Sequence, residues 1–179
     1  MGLRVIAPPE FEPITLAQAK ADLRVDHSDD DDKITRYIAA ARFWVERLTE
    51  RKVALQTLEF VFDAFPVSEI KLPRAPVQEI VSVNYDNEAG GEQTVSPDDY
   101  WLDNADESRA WLFPETTWPA TLDAVSTVRI QFKAGYATAA DVPGSLAQAV
   151  RLKVQELYEA TDNERPIMAL VQSYLTLTA

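Results

Sequence analysis

Asp98-Asp99, Asp103 and Asp106-Glu107 lie close together in the chain, beside Tyr100, Trp101 and Trp111. Paired carboxylates near aromatic rings are what a glycosidase uses, one acid protonating the leaving group and the other serving as base or nucleophile. Strands joined by acidic loops give the same pattern with no chemistry attached. Asp26-His27-Ser28 holds the chain's one histidine. A Ser–His–Asp triad would need that residue as its base, and an ordinary loop histidine accounts for it equally. Asp29-Asp30-Asp31-Asp32 offers four adjacent carboxylates. A calcium loop of the EF-hand type spaces its ligands and needs Gly sixth and Glu twelfth. Counted from Asp26, those places hold Asp31 and Tyr37, so the pattern fails. Acids at a helix start are favoured by the backbone dipole, which explains the run without a metal.

Cysteine is absent, which removes disulfides, thiolate metal sites and a cysteine nucleophile. Gly90-Gly91 is the only glycine pair, and no phosphate-binding or dinucleotide fingerprint accompanies it. No catalytic, cofactor-binding or metal-ligating residue is therefore assigned, no cofactor is expected, and the chain is not read as an enzyme.

The elements that would carry these residues change period twice. Thr15-Leu-Ala-Gln18 has the form of a capping box, predicting a short helix over 16–24. Ser28 is the candidate N-cap of a second helix, in which Ile34, Tyr37, Ile38, Ala41, Val45 and Leu48 form one apolar stripe. Phe43 and Trp44 widen that stripe, so the helix is expected to touch more than one neighbour. Alternation then takes over. Leu58, Phe60 and Phe62 share a face of one strand, and Val81, Val83 and Tyr85 a face of another. Asn87-Glu-Ala-Gly-Gly91 reads as a hairpin turn. Residues 99–103, 109–113 and 126–133 are further strands. Helical period returns after Pro143-Gly144, with Ser145 to Gln148 as a second capping box and Leu146, Val150, Val154 and Leu157 as its stripe.

The expected fold class is therefore α+β. A small helical bundle, two N-terminal helices plus a later one, carries an inserted antiparallel β-unit and a C-terminal arm. The expected division is 1–53 with 140–165 for the helical core, 54–139 for the β-unit and 166–179 for the arm.

Charge is uneven. Of 29 acids and 17 bases, residues 54–139 hold 14 and 5. Such a surface repels nucleic acid, since phosphate contacts need a basic patch. The first residues lack the apolar run of a secretory signal, and no stretch reaches the roughly 18 to 20 apolar residues of a bilayer span. A soluble protein with no membrane partner is expected.

The ending departs from the rest: Pro166 to Ala179 carries no charged side chain. Ile167, Leu170, Val171, Tyr174 and Leu175 recur at helical spacing, while Ser173 to Thr178 alternates as a strand. Two readings stand: a last segment folded back on its own core, or an arm docking elsewhere by strand addition or helix-in-groove.

The string PITLAQAKADLRVDHSDDDDKITRYIAAARFWVERLTERKVALQTLEFVFDAFP resembles the N-terminal signature of head–tail connector (adaptor) proteins of long-tailed phages, prophages and gene-transfer agents. VPGSLAQAVRLKVQELYEATDNE is similar to that family's third helix and ALVQSYLTL to its terminal segment. Leu175 departs from the pattern, which often has Arg after the Tyr. The resemblance implies a structural ring subunit, dodecameric, between the portal at the capsid vertex and the stopper or tail. DNA would pass through the channel without sequence-specific binding. It makes the ending a portal-docking arm with Ile167, Met168, Leu170, Val171, Tyr174, Leu175 and Leu177 as contacts. It implies a virion location, after synthesis in the bacterial cytoplasm. The alternatives are another virion ring, such as a stopper or tail terminator, and a carboxylate-based hydrolase.

Overall fold

The computed structural model describes residues 1–175. The chain forms two compact units: Met1–Pro9 with Leu55–Gly135, and Glu10–Ala54 with the chain from Tyr136 onward.

The first unit is built mainly of β-strands. Its strands are β1 (Gly2–Ala7), β2 (Gln56–Phe62), β3 (Ile70–Leu72), β4 (Val77–Asp86), β5 (Glu92–Thr94), β6 (Tyr100–Asp103), β7 (Ala110–Pro114) and β8 (Val128–Ala134). They form a five-stranded sheet in the order β1-β2-β8-β4-β5 and a three-stranded sheet in the order β3-β7-β6. All of these pairings are antiparallel. Period two decides what is buried. On β8, Val128, Ile130, Phe132 and Ala134 are fully buried, while Arg129, Gln131 and Lys133 point to the other, half-buried face. The register sets Leu58 opposite Phe132, Phe60 opposite Ile130 and Phe62 opposite Val128, so the apolar rows coincide. Leu72, Ala110 and Leu112 of the small sheet join the same core.

Two expectations for this unit change. Val83 is buried and Tyr85 packs on the core, but Val81 is exposed. The β4–β8 register shifts between Ile80 and Ser82, and such a bulge inserts an extra residue that breaks the alternation. Ile80 packs on the core instead. The second change is β1. Residues 1–9 join the β-unit, because Leu3 pairs with Phe60 and Val5 with Leu58. Arg4 on β1 bonds the carboxylate of Glu59, a buried residue that also accepts from Gln131 Nε2 at 3.0 Å. The hairpin at Asn87 forms as expected. Gly90 sits at φ +81°, and Asn87 Oδ1 accepts from the amides of Ala89 and Gly91.

The second unit is helical: α1 (Leu16–Leu23), α2 (Asp31–Thr49), α3 (Gly144–Glu159) and α4 (Glu164–Val171), followed by a 3-10 turn over Gln172–Tyr174. Thr15 caps α1 with both halves of its capping box in place. The core takes Ile34, Ile38, Ala41 and Val45 from α2, and Leu146, Ala149, Val150 and Val154 from α3. Ala19 and Leu23 come from α1, Ile167 and Val171 from α4. Full burial of each large aliphatic side chain stabilises by about 1.5–3 kcal/mol. The helical unit therefore runs through α4 rather than stopping at 165.

Two expected caps are corrected. Asp30, not Ser28, is the N-cap of α2, and it makes no side-chain cap bond. α3 starts from Pro143, also without a side-chain cap; Ser145 is already inside the helix. The helices α1, α2 and α3 end on Arg24, Glu50 and Ala160, all left-handed with φ of 56°, 54° and 56°, a place that glycine usually takes. Among the described residues, no helix is long and apolar enough to cross a membrane.

Candidate interaction surface

The acidic loop of the β-unit is structural in its bonding. Asp103 Oδ1 accepts from the Ala105 amide at 3.3 Å, and Asp106 Oδ1 accepts from the Ser108 amide at 2.7 Å. Asp106 also pairs with Arg109 at 3.1 Å. Asp98 and Asp99 lie in a 3-10 turn that Ser96 caps. The aromatics serve the sheet. Trp101 stacks on its cross-strand neighbour Phe113 with ring centroids 4.3 Å apart, and the Lys71 ammonium lies 5.8 Å from the Trp111 ring. Among the described residues, no group of three or more His, Cys, Asp or Glu is placed to hold a metal. His27 is exposed, as are Asp26 and Ser28.

The four-aspartate run splits by role. Asp31 takes the Lys20 ammonium at 2.5 Å, joining α1 to α2. Asp30 Oδ2 accepts from the Tyr158 hydroxyl at 2.7 Å, joining α2 to α3. That bond holds the Tyr158 phenol above its ordinary range, because the phenol loses its best acceptor contact on ionisation. Asp29 and Asp32 stay exposed.

The residues assigned to a docking arm are divided by the structure. Ile167 and Val171 are fully buried in the helical core, and Leu170, Tyr174 and Leu175 pack against it. These two anchors cannot meet a second protein without opening the unit. Tyr174 Oη lies 3.1 Å from Ser145 Oγ, and the Arg51 guanidinium sits 5.1 Å from the Tyr174 ring. Met168 is half-buried, and Leu177 lies outside the described residues. The segment thus follows the fold-back reading over α4 and its following turn. The helical period of Ile167, Leu170, Val171 and Tyr174 was the signal for it.

A surface that carried no assignment from sequence lies on α2. Ala40, Phe43, Trp44, Arg47 and Leu48 line a groove closed by Lys153 and Leu157 of α3. Phe43 is 55% exposed. Lys153 Nζ lies 4.4 Å from the Trp44 ring and pairs with Glu156. Arg36 and Arg47 are exposed and have no side-chain partner among the described residues. The signal in the sequence was the widening of the α2 stripe by Phe43 and Trp44. On the β-unit, Leu3, Val5 and Ile6 of the edge strand β1 are exposed too.

A family model described as "Phage gp6-like head-tail connector protein" matches residues 13–107. A comparison with curated protein sequences gave no match. Among solved structures, a chain from the virion of a native gene transfer agent (GTA) particle superposes with a TM-score of 0.87 at 24% identity, covering 100% of this chain and 97% of the other. A chain from the neck of an empty GTA particle, computed with C6 symmetry, gives 0.86 at 23% identity with the same coverage. A chain from the neck of a native GTA particle, computed with C12 symmetry, gives 0.84 at 22%, again covering 100% and 97%. At these identities the likeness establishes a shared fold over the whole chain.

Proposed function

The chain belongs to the phage gp6-like head–tail connector family, and from that premise we propose that it is a ring-forming structural adaptor in the neck of a phage-like particle. The observation that carries the reading is the match of fold over the full length to chains of particles whose necks were computed with C6 and C12 symmetry. Twelve copies around one axis is the smallest number compatible with both symmetries. The ring continues the DNA channel between portal and tail, and it acts by shape and contact rather than by chemistry.

The residues suit that role. In the acidic loop of the β-unit, Asp103 and Asp106 are engaged with nearby backbone amides and Arg109. A net charge of −12 disfavours lasting contact with DNA phosphates where the surface lines a channel. Docking on the portal falls to Met168 and Leu177 of the C-terminal segment, because Ile167 and Val171 are committed to the core.

Deleting the gene tests this reading. Filled heads and separate tails should accumulate, and the full chain supplied in trans should restore joined particles. Normal joined particles in the deletion strain would end the adaptor reading.

A further inference from the structure

The α2 groove has a composition that its own chain does not use. Phe43 stands out of it, with Trp44, Leu48 and Leu157 as its apolar floor. Arg36 and Arg47 flank Phe43 at i−7 and i+4 on the same helix, and neither finds an acid among the described residues. Exposed aromatic and arginine side chains in one patch are the residues that dominate protein interface cores. Charge complementarity favours an acidic occupant. The α1–α2 loop of this chain carries Asp26 and Asp29, both exposed and without a side-chain partner among the described residues. It cannot reach its own groove: the helix from Asp31 to Phe43 rises about 18 Å. Only another copy brings that loop to Phe43.

We propose that the Phe43 groove is a subunit–subunit contact, receiving the acidic α1–α2 loop of a second copy of this chain. The contact joins two different patches, groove to loop, so it is heterologous and propagates from copy to copy until the ring closes. This rests on the ring reading above and names the face that builds it.

The absence of cysteine allows a clean test. Phe43→Cys, at an exposed position, is labelled with a thiol-reactive benzophenone in the full chain and assembled into necks, then irradiated. The result expected is a ladder of adducts extending past two copies of the 20.0 kDa chain, with cross-linked peptides mapping to the loop that carries Asp26 and Asp29. Arg47→Glu should lower the yield of rings. If the wild-type chain forms rings but the adducts stop at two copies, join only another neck protein, map elsewhere or fail to form, the inference is overturned and the ring reading survives. If the wild-type chain forms no ring in necks, the ring reading itself fails and takes the contact with it.

Discussion

Ser145 Oγ and Tyr174 Oη lie 3.1 Å apart, tying the first turn of α3 to the turn that follows α4. With Ile167 and Val171 buried alongside, and Leu170, Tyr174 and Leu175 packed against them, the described part of the uncharged ending belongs to the helical core. A chain stopped after Arg165 should therefore lose cooperative unfolding of its helical unit. The milder Ile167→Ala should cost about 2–5 kcal/mol, the usual range for deleting a buried aliphatic side chain. Urea unfolding followed by circular dichroism measures both. Unchanged midpoints would return the whole segment to the role of a free arm.

Glu46 is a second test of that core. Its side chain is buried, accepts from the Val53 amide at 3.1 Å, and holds Lys52 at 3.0 Å and Arg42 at 3.3 Å. Glu46→Ala leaves Lys52 in poor solvent without its acid, while Arg42 keeps Glu12 at 2.8 Å, and breaking such a buried pair costs about 3–5 kcal/mol. Arg109→Ala, which removes a surface pair with Asp106, should cost at most about 1 kcal/mol. Equal effects of the two in the same unfolding assay would contradict this ranking.

Acid should weaken the β-unit through Asp86. Two hydrogen bonds from the Arg129 guanidinium, at 2.7 and 3.1 Å, hold this carboxyl below the usual aspartate range. A depressed folded-state value means that the contribution is present above the unfolded value, about pH 3.9, and is lost as pH falls through the folded one. Asp86→Asn should lower the thermal midpoint at neutral pH and flatten its fall below about pH 4. An identical acid slope in wild type and variant would exclude this pair as a source.

The aspartate run predicts a graded series. Asp31→Asn removes the Lys20 pair, costing about 0.5–1.5 kcal/mol, and Asp30→Asn weakens the Tyr158 bond and should lower the midpoint by less. Asp29→Asn touches nothing in its own subunit and should stay within about 0.5 kcal/mol in the monomer. Calcium at micromolar concentration should leave the melting temperature unchanged. A calcium-dependent rise would point to a metal role for the run.

Periodicity made much of the fold legible, and local chemistry made rather less. The α2 and α3 stripes, the β2 and β8 alternation and the Asn87 hairpin are local patterns, so residue spacing alone revealed them. β1 was not legible because its partner, β2, lies more than fifty positions away and only pairing makes Gly2–Ala7 a strand. Val81 was placed on the wrong face because a bulge leaves no mark in apolar spacing. Ser28 and Ser145 have the right residue type for caps, but Asp30 and Pro143 take those places. The arm residues were found as one segment, yet burial divides Ile167 and Val171 from Met168. The Phe43 surface showed in sequence only as an over-wide stripe, since exposure depends on what the neighbouring helices leave uncovered.

On the adaptor reading, this chain closes into a ring between portal and tail. A reconstruction of the neck from particles carrying it, refined without imposed symmetry, tests that most directly. The result expected is twelve copies of the two-unit fold in one closed ring around the DNA channel. Necks that lack this fold, or that hold it as isolated copies off the axis, would contradict it.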